Sequence, residues 1–256
     1  MANTRRAWTR EESILAFNLY CKIPFGKLHH TNPAIIHLSE ILNRTPSSVS
    51  MKMCNFSSLD PTHQKRNVKG LSHGSKLDKI IWDEFNQNWE ELAFQSESTL
   101  NRLHILKKDL GLEEKMPKEF KHTEASRHVR VRLVQRFFRE AVLSGYHYSC
   151  AICSINLPTL LNASHIIPWS KDKTRRVDPK NGVSLCALHD RAFDRGLITF
   201  DEKHKIIVSK QLFTKNPSDL HRIGLIEIEG HKIKLPERFK PAEDALDYHR
   251  NRIFLQ

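Results

Sequence analysis

Apolar residues in the first part of the chain recur at helical spacing between signals that start and stop helices. Thr9 and Glu12 have the spacing of a capping box, and the Pro-Phe-Gly sequence at 24–26 ends the segment that follows. A cap residue before proline occurs at 32–33 (Asn-Pro) and again at 45–46 (Thr-Pro), each ahead of an apolar stripe. The pattern predicts consecutive helices in a helix-turn-helix arrangement.

The pattern changes along the rest of the chain. Amphipathic spacing continues to about residue 92, and a charged stretch follows. A predicted helix over 127–143 then precedes short segments typical of strand pairs, at 197–200 with 206–208 and at 226–228 with 231–235. We therefore predict an α+β protein with an all-α, helix-turn-helix-like domain over 1–95, a helical connector over 96–124 and a mixed domain over 125–256.

Composition restricts the class of protein. The net charge is +12 and the isoelectric point is near 9.6, which suits a polyanionic partner because each cation placed on a phosphate releases condensed counterions. The alternative is that the charge only maintains solubility. No apolar run approaches the ~20 residues of a membrane span, and the N-terminal sequence lacks the apolar core of a signal peptide. These features favour nucleic acid as the partner, argue against a membrane protein and predict a cytoplasmic location.

The cysteine pattern favours metal binding over disulfides. The chain has 5 cysteines, an odd number, and Cys150, Cys153 and Cys186 fall in one region. Cys150 and Cys153 are separated like Cys186 and His189, which is the spacing of two knuckles that close a tetrahedral zinc site. Burial of the cysteines in an apolar core is the alternative. We predict a structural zinc ion held by Cys150, Cys153, Cys186 and His189.

With His165 and Asn181, which lie between the two knuckles, this set resembles the HNH endonuclease family. The family pattern is Cys-x-x-Cys, a histidine at a strand end, an asparagine in the following loop, and Cys-x-x-Cys-His opening a helix. The order and the spacings match. Three positions depart from it: His189 replaces the fourth cysteine, Asp190 replaces the last histidine, and Ser164 replaces an acidic or histidine metal ligand.

The resemblance covers residues 125–256 and implies a ββα-metal nuclease domain, here with extra β-hairpins. It makes His165 the general base, because a neutral imidazole accepts a proton from water near pH 7. Asn181 would hold the loop against the hairpin and orient that imidazole. Asp190 would be a ligand of a catalytic Mg²⁺ or Mn²⁺, since these ions prefer oxygen. Without zinc, His189 would be free to serve as a catalytic ligand beside Asp190.

Asp194 is a candidate second ligand of the catalytic ion. It follows Asp190 by one helical turn, so that both carboxylates project from the same helix face. The alternative is a surface carboxylate paired with Arg191 or Arg195. The sequence alone leaves both interpretations open.

Two sets of polar side chains are candidates for contact with DNA. On the third predicted helix, Ser48, Lys52 and Asn55 share the face opposite the apolar stripe, from which small polar groups can enter a major groove. On the helix over 127–143, a row of basic residues at i, i+4 and i+7 has the spacing to follow a phosphate backbone: Arg132, Arg136 and Arg139. For both sets an ordinary solvated face is the alternative.

The N-terminal region also resembles a Myb/SANT-type DNA-binding repeat. The similarity rests on residues 8–12 (Trp-Thr-Arg-Glu-Glu) and 43–49 (Asn-Arg-Thr-Pro-Ser-Ser-Val). It implies that this domain reads DNA, assisted by the basic segment at 62–76.

The function predicted from these patterns is a metal-dependent DNA endonuclease that hydrolyses phosphodiester bonds with a histidine general base. A restriction or modification-dependent defence enzyme is favoured by analogy with family members that pair such a domain with a separate reader. The alternatives are a non-catalytic, zinc-containing DNA-binding protein and a nicking or homing-type nuclease of a mobile element. The expected partner is double-stranded DNA, modified or plain, and a homodimer is compatible with cleavage of both strands.

Overall fold

The computed structural model describes residues 6–64, 74–109 and 124–256, and of 104–109 and 124–129 it describes the backbone only. The chain divides into two compact units, of which one ends at Arg136 and the other begins at Phe137. The N-terminal unit is helical and the C-terminal unit mixes helices with two small antiparallel sheets. The predicted α+β class is confirmed. None of the described helices combines the length and the apolar character needed to cross a membrane.

The described part of the N-terminal unit is helical. Their bounds are α1 Arg10–Lys22, α2 Pro33–Ile41, α3 Pro46–Leu59, α4 Pro61–Gln64, α5 Lys76–Phe85 and α6 Trp89–Asp109, and α7 Glu124–Gly145 runs on into the second unit. The cap signals are confirmed: Thr9 and Glu12 form a capping box, and the side chains of Asn32 and Thr45 cap α2 and α3.

An aromatic cluster forms the centre of this unit. The ring centroid of Phe17 in α1 lies 4.9 Å from that of Phe56, 5.4 Å from Trp82 and 6.4 Å from Trp89. These rings come from α3, α5 and the start of α6. Burial of large aromatic rings contributes most of the hydrophobic stabilisation of such a small core.

The prediction that Lys52 lies on a DNA-facing surface of α3 is wrong. Lys52 is 3% exposed, and its ammonium forms an ion pair with the fully buried Asp78 of α5. The Nδ2 of Asn55 donates to the second oxygen of the same carboxylate at 3.0 Å. A buried charge needs a partner, so Lys52 is committed to the core. Asn55 is half-buried, and its predicted contact with DNA stays an expectation. Ser48 is half-buried and keeps its predicted role as an expectation.

The predicted domain boundaries can be placed on the described helices. Helix α6 continues without a break past residue 95, where the N-terminal domain was predicted to end. Residues 110–123 of the predicted connector lie outside the described residues, as do 65–73 of the basic segment at 62–76. Within that segment, residues 61–64 are helical and Ser75 caps α5.

The C-terminal unit is built on a β-hairpin and a helix. After α7, its elements are β1 Leu161–His165, β2 Gly182–Cys186, α8 Ala187–Asp194, β3 Ile198–Phe200, β4 Ile206–Val208, α9 Asp219–His221 and α10 Glu243–Arg252. Strands β1 and β2 are antiparallel, with His165 opposite Gly182. A Cβ atom at Gly182 would lie 2.4 Å from a methyl carbon of Val142 in α7. Only glycine therefore lets the hairpin pack this closely on α7.

Helix α10 packs against α8 through His249 and Phe193. The imidazole of His249 stacks on Phe193 with a centroid separation of 3.7 Å, and its Nε2 donates to the Phe193 carbonyl at 3.1 Å. Burial lowers the pKa of His249 to about 4, so the ring is neutral and Nδ1 accepts from the Thr199 hydroxyl at 2.9 Å. At the end of α8, Gly196 adopts φ +68, a conformation that glycine tolerates best.

The first predicted strand pair of this unit is confirmed, and the second is wrong. Strands β3 and β4 pair as expected. Residues Arg222–Ile226 instead form a π-helical turn that continues α9, closed by the bond from the Glu227 amide to the Arg222 carbonyl at 2.9 Å. The later segment lies along β4, where the Ile206 amide donates to the His231 carbonyl at 2.9 Å. The segment thus forms an isolated antiparallel bridge, Lys205 with Lys232, beside β4 rather than a hairpin with residues 226–228.

Candidate functional site

The two knuckles bring the predicted sulfur and nitrogen donors together. One donor atom from each of Cys150, Cys153, Cys186 and His189 lies within 4.8 Å of the others. The Nδ1 atom of His189 is 3.2 Å from the Cys186 sulfur and 3.6 Å from the Cys150 sulfur, and the Cys153 and Cys186 sulfurs are 3.8 Å apart. A tetrahedral zinc ion with bonds of about 2.0–2.3 Å requires edges of roughly 3.4–3.8 Å. The quartet can therefore hold a metal such as zinc.

Local backbone geometry positions these donors. Ser154, directly after the first knuckle, has φ +63, and its amide donates to the Cys150 carbonyl at 3.1 Å. Cys186 ends β2 and caps α8, which puts His189 in the first turn of that helix. The Nε2 of His189 donates to the Gly224 carbonyl at 2.9 Å. That bond fixes the tautomer that presents Nδ1 to the sulfurs, as is common for metal-binding histidines.

The thiols of the quartet are electrostatically coupled. A hydrogen bond from the Cys186 thiol lowers the pKa of Cys150, and the same bond raises the pKa of Cys186. All 5 cysteines of the chain are free of disulfides, as predicted.

The imidazole of His165 has a defined tautomer and a defined environment. Its Nε2 is 2.9 Å from the Arg176 carbonyl, which can only accept, so Nε2 carries the proton and Nδ1 keeps its lone pair. The ring stacks on Phe138, with centroids 4.0 Å apart and planes 9° from parallel. Trp169 packs against it nearly perpendicularly at 5.6 Å. Burial lowers the pKa of His165, and the Arg176 carbonyl only partly opposes that shift, so the imidazole is neutral at pH 7.

Asn181 closes the loop that carries these groups. It is 1% exposed. Its Oδ1 accepts from the Ile167 amide at 2.8 Å, and its Nδ2 donates to the carbonyls of Ile167 at 3.0 Å and Arg175 at 3.2 Å. The side chain thus ties the residues just after His165 to the residue just before Arg176, whose carbonyl holds the imidazole. This is the geometry expected of the predicted loop-holding role.

Asp190 lies against the other face of β1. Its Oδ2 accepts from the Nδ2 of Asn162 at 2.6 Å, and its Oδ1 accepts from the Ser164 hydroxyl. Asn162 and Ser164 alternate with His165 along the strand, so their side chains point away from the imidazole. The carboxylate is half-buried. The serine that replaces an acidic residue therefore hydrogen-bonds the carboxylate that remains.

Asp194 is close enough to Asp190 to be influenced by its charge. Burial raises the pKa of Asp194, and the negative charge of Asp190 raises it further, while Arg191 and Arg195 oppose the shift. Neither arginine forms an ion pair with Asp194 within the part of the chain that the structure describes. The negative charge of Asp190 thus disfavours the charged form of Asp194, as expected for carboxylates one helical turn apart.

The structure thus brings the predicted residues together in separate groups. Cys150, Cys153, Cys186 and His189 form the sulfur site, His165 and Asn181 share one loop, and Asp190 and Asp194 share one helix. Sequence reasoning missed four residues that contact these groups: Asn162, Phe138, Trp169 and Arg176. Only Asn162 had a visible signal, since it is two positions before Ser164 and must share its strand face.

The predicted row of arginines on α7 is in part solvent-accessible. Arg132 and Arg136 are exposed. Arg139 is half-buried, and its Nη2 donates to the Pro158 carbonyl at 3.1 Å. Arg139 is thus partly engaged within the unit.

A comparison with known families agrees with this geometry. Residues 150–201 match the family of HNH endonucleases, a range that contains the sulfur site, His165, Asn181 and both aspartates. No curated protein matches the chain. The C-terminal part of this protein contains an HNH endonuclease domain.

Proposed function

We propose that this protein is a metal-dependent DNA endonuclease in which His165 is the general base. One observation carries the proposal: Nε2 of His165 is occupied by the Arg176 carbonyl, so that the accessible lone pair is on Nδ1 of an imidazole that burial keeps neutral. A general base needs both a free lone pair and a pKa below the working pH. The hydrolysable substrate class follows from the HNH domain.

The chemical step would use few groups. Nδ1 of His165 takes a proton from a water molecule whose oxygen attacks the phosphorus, and the bond from phosphorus to the 3′ oxygen breaks. The products are a 5′-phosphate and, after protonation of the leaving oxygen, a 3′-hydroxyl. Asn181 prevents the loop from opening and so keeps the imidazole oriented by the Arg176 carbonyl. Phe138 and Trp169 restrict the ring to one plane.

The catalytic divalent ion would be held on the α8 side of the hairpin. Asp190, Asp194 and the Ser164 hydroxyl are all oxygen donors, which suits Mg²⁺ or Mn²⁺ rather than a soft ion. Each oxygen of Asp190 accepts one hydrogen bond and retains a second lone pair for a metal. Such an ion, when bound, stabilises negative charge on the phosphate and on the leaving oxygen. The sulfur site would hold zinc as a structural ion.

Replacing Asp190 by asparagine tests the proposal. We expect Asp190→Asn to lower Mg²⁺-supported plasmid cleavage by about 100-fold, because a divalent ion contributes several kcal/mol to transition-state stabilisation. Zinc content should stay at the wild-type value. Asp247→Asn, an exposed aspartate on α10, is the matched control and should cut normally. Normal cleavage by Asp190→Asn, together with a His189→Ala variant that keeps zinc and loses activity, would mean that the roles of Asp190 and His189 are exchanged.

A non-catalytic, zinc-containing DNA-binding protein is the second candidate. It is favoured by Ser164, because a hydroxyl replaces a charged metal ligand and weakens the site for the catalytic ion. Incubating the wild type with methylated, otherwise modified and plain plasmids in Mg²⁺, Mn²⁺ or Ni²⁺ separates the two. Binding without cleavage under every condition would support this second candidate and contradict the nuclease proposal.

We further propose that the N-terminal unit binds duplex DNA and that the whole is a restriction or modification-dependent enzyme. The +12 net charge and the helix-turn-helix order of α2 and α3 support this. The reading surface would include Ser48 and Asn55 but not the buried Lys52, which is committed to Asp78. A nicking or homing-type nuclease remains the alternative role, and since one HNH centre cuts one strand, a double-strand cutter would act as a homodimer.

Fluorescence titration tests the reading unit. We expect Ser48→Ala in the full-length chain to alter the preference between plain and modified duplexes, because contacts to base edges carry specificity. Ser58→Ala, on the same helix with its hydroxyl bonded to the Asn55 carbonyl, is the control. Equal preference in all variants would indicate that α3 does not read DNA.

A further inference from the structure

Arg176 has a side chain whose position the sequence did not reveal. It lies in the loop between β1 and β2, and its backbone carbonyl accepts the hydrogen bond from His165 Nε2 at 2.9 Å. Its own side chain turns back on the same loop, where Nε donates to the Trp169 carbonyl at 2.7 Å. The guanidinium carbon lies 5.1 Å from the centroid of the Trp169 ring. One residue therefore orients the imidazole through its backbone, and its guanidinium contacts the same indole that the imidazole contacts.

The terminal amines of this guanidinium have no protein partner. Across the described chain, Nη1 and Nη2 of Arg176 take part in no hydrogen bond or ion pair, and neither is among the fully buried unpaired atoms. The neighbouring Arg175 differs, because both of its terminal amines bond the carboxylate of Asp244. The contrast is that Arg175 is neutralised within the protein and Arg176 is not.

Trp169 relates the guanidinium to the imidazole. Its ring centroid is 5.6 Å from that of His165 and 5.1 Å from the guanidinium carbon of Arg176. Nε bonding and contact with the indole restrict the torsions of the arginine side chain, so little entropy remains to be lost when a ligand binds. A pair of parallel, unoccupied N–H donors matches the two oxygens of a phosphate group.

We propose that Arg176 is a phosphate-binding residue of the nuclease centre, donating from Nη1 and Nη2 to a non-bridging oxygen pair of a phosphodiester beside His165. The inference rests on the proposed function, since it concerns the substrate of the same site. Arg176 would hold the phosphate relative to Nδ1 of His165 and would offset the charge that develops on the phosphorane.

The test combines a binding measurement with a cleavage measurement on the full-length protein. Binding to a plain duplex is titrated at several NaCl concentrations without added Mg²⁺ or Mn²⁺, and plasmid cleavage is measured with Mg²⁺. We expect Arg176→Ala to reduce the magnitude of the slope of log K against log salt by about 1, the value for one lost phosphate contact. Cleavage should fall by about 100-fold. Arg175→Ala, the matched control, should retain the slope and most of the activity.

One further variant separates the charge of Arg176 from its paired donors. Arg176→Lys retains the charge and loses the paired donors, so we expect a wild-type slope with cleavage reduced by about 10-fold. Zinc content and melting temperature show whether each variant folds. If Arg176→Ala does not fold, the test passes to Arg176→Lys, and wild-type cleavage by that variant overturns the proposal. An unchanged slope in Arg176→Ala, or an equal change in Arg175→Ala, also overturns it. If the wild type binds DNA but does not cut it, the proposed function fails. The salt dependence of binding by Arg176→Ala, compared with the wild type, still shows whether Arg176 contacts a phosphate. Absence of salt-dependent binding by the wild type would contradict both.

Discussion

The His165→Ala variant is expected to lose cleavage by about 10²–10⁴-fold while it retains zinc and DNA affinity. The imidazole would transfer the proton through Nδ1. His165 is not one of the four possible metal ligands, so its replacement should leave zinc binding intact. Cleavage of a supercoiled plasmid under single-turnover conditions measures the effect. His231→Ala, an exposed histidine of the same unit, is the matched control and should cut like the wild type. A His165→Ala protein with wild-type rates would remove the basis of the proposed mechanism.

The pH dependence of cleavage provides a second readout of the same residue. Burial lowers the pKa of His165 below its usual value of 6.5. The base form therefore persists as pH falls through 6.5, and the acid limb of kcat/KM should lie below that value. Above it the rate should be flat until another group titrates. An acid limb centred above 6.5 would mean that a different group accepts the proton.

Replacement of Cys186 by serine is expected to abolish zinc binding and to unfold the C-terminal unit selectively. Zinc binding in small modules contributes about 10–16 kcal/mol of apparent free energy, which exceeds the stability of most domains of this size. Cys186 contributes a sulfur to the quartet, ends β2 and caps α8, so its loss affects the hairpin and the helix together. Elemental analysis measures the zinc, and hydrogen exchange measures protection in each unit separately.

The matched control is Cys54→Ser, a half-buried cysteine of α3 in the other unit. It should keep about one zinc per chain and wild-type protection of residues 137–256. Wild-type protein that is folded and active without zinc would contradict the zinc prediction, as would a Cys186→Ser protein that still holds the ion.

Local signals in the sequence predicted local structure well. The caps at Thr9, Asn32 and Thr45 were identified because capping depends on residues within three positions of each other. The sulfur site was identified because the two donor residues of each knuckle have a fixed spacing in the sequence. Both kinds of signal act over a few residues, which a sequence displays directly.

Features that depend on distant contacts could not be predicted in this way. Lys52 has the spacing of a surface residue on α3, and only the approach of Asp78 from α5 makes its burial possible. The His165 contact with Arg176 uses a backbone carbonyl, which every residue possesses, so no side-chain pattern marks it. Residues 231–235 alternate in polarity like a strand of a hairpin, but their backbone hydrogen bonds join them to His204 and Ile206 at β4.

His189 and Asp190 are neighbours in the first turn of α8, and this proximity links the sulfur site to the site proposed for the catalytic ion. Successive residues of a helix are about 100° apart around its axis, so His189 turns toward the knuckles while Asp190 turns toward Asn162 and Ser164. If zinc occupies the sulfur site as proposed, its loss would also release the start of α8 that carries Asp190. Removal of zinc by a chelator is therefore expected to reduce cleavage, although no residue proposed to contact the substrate is changed.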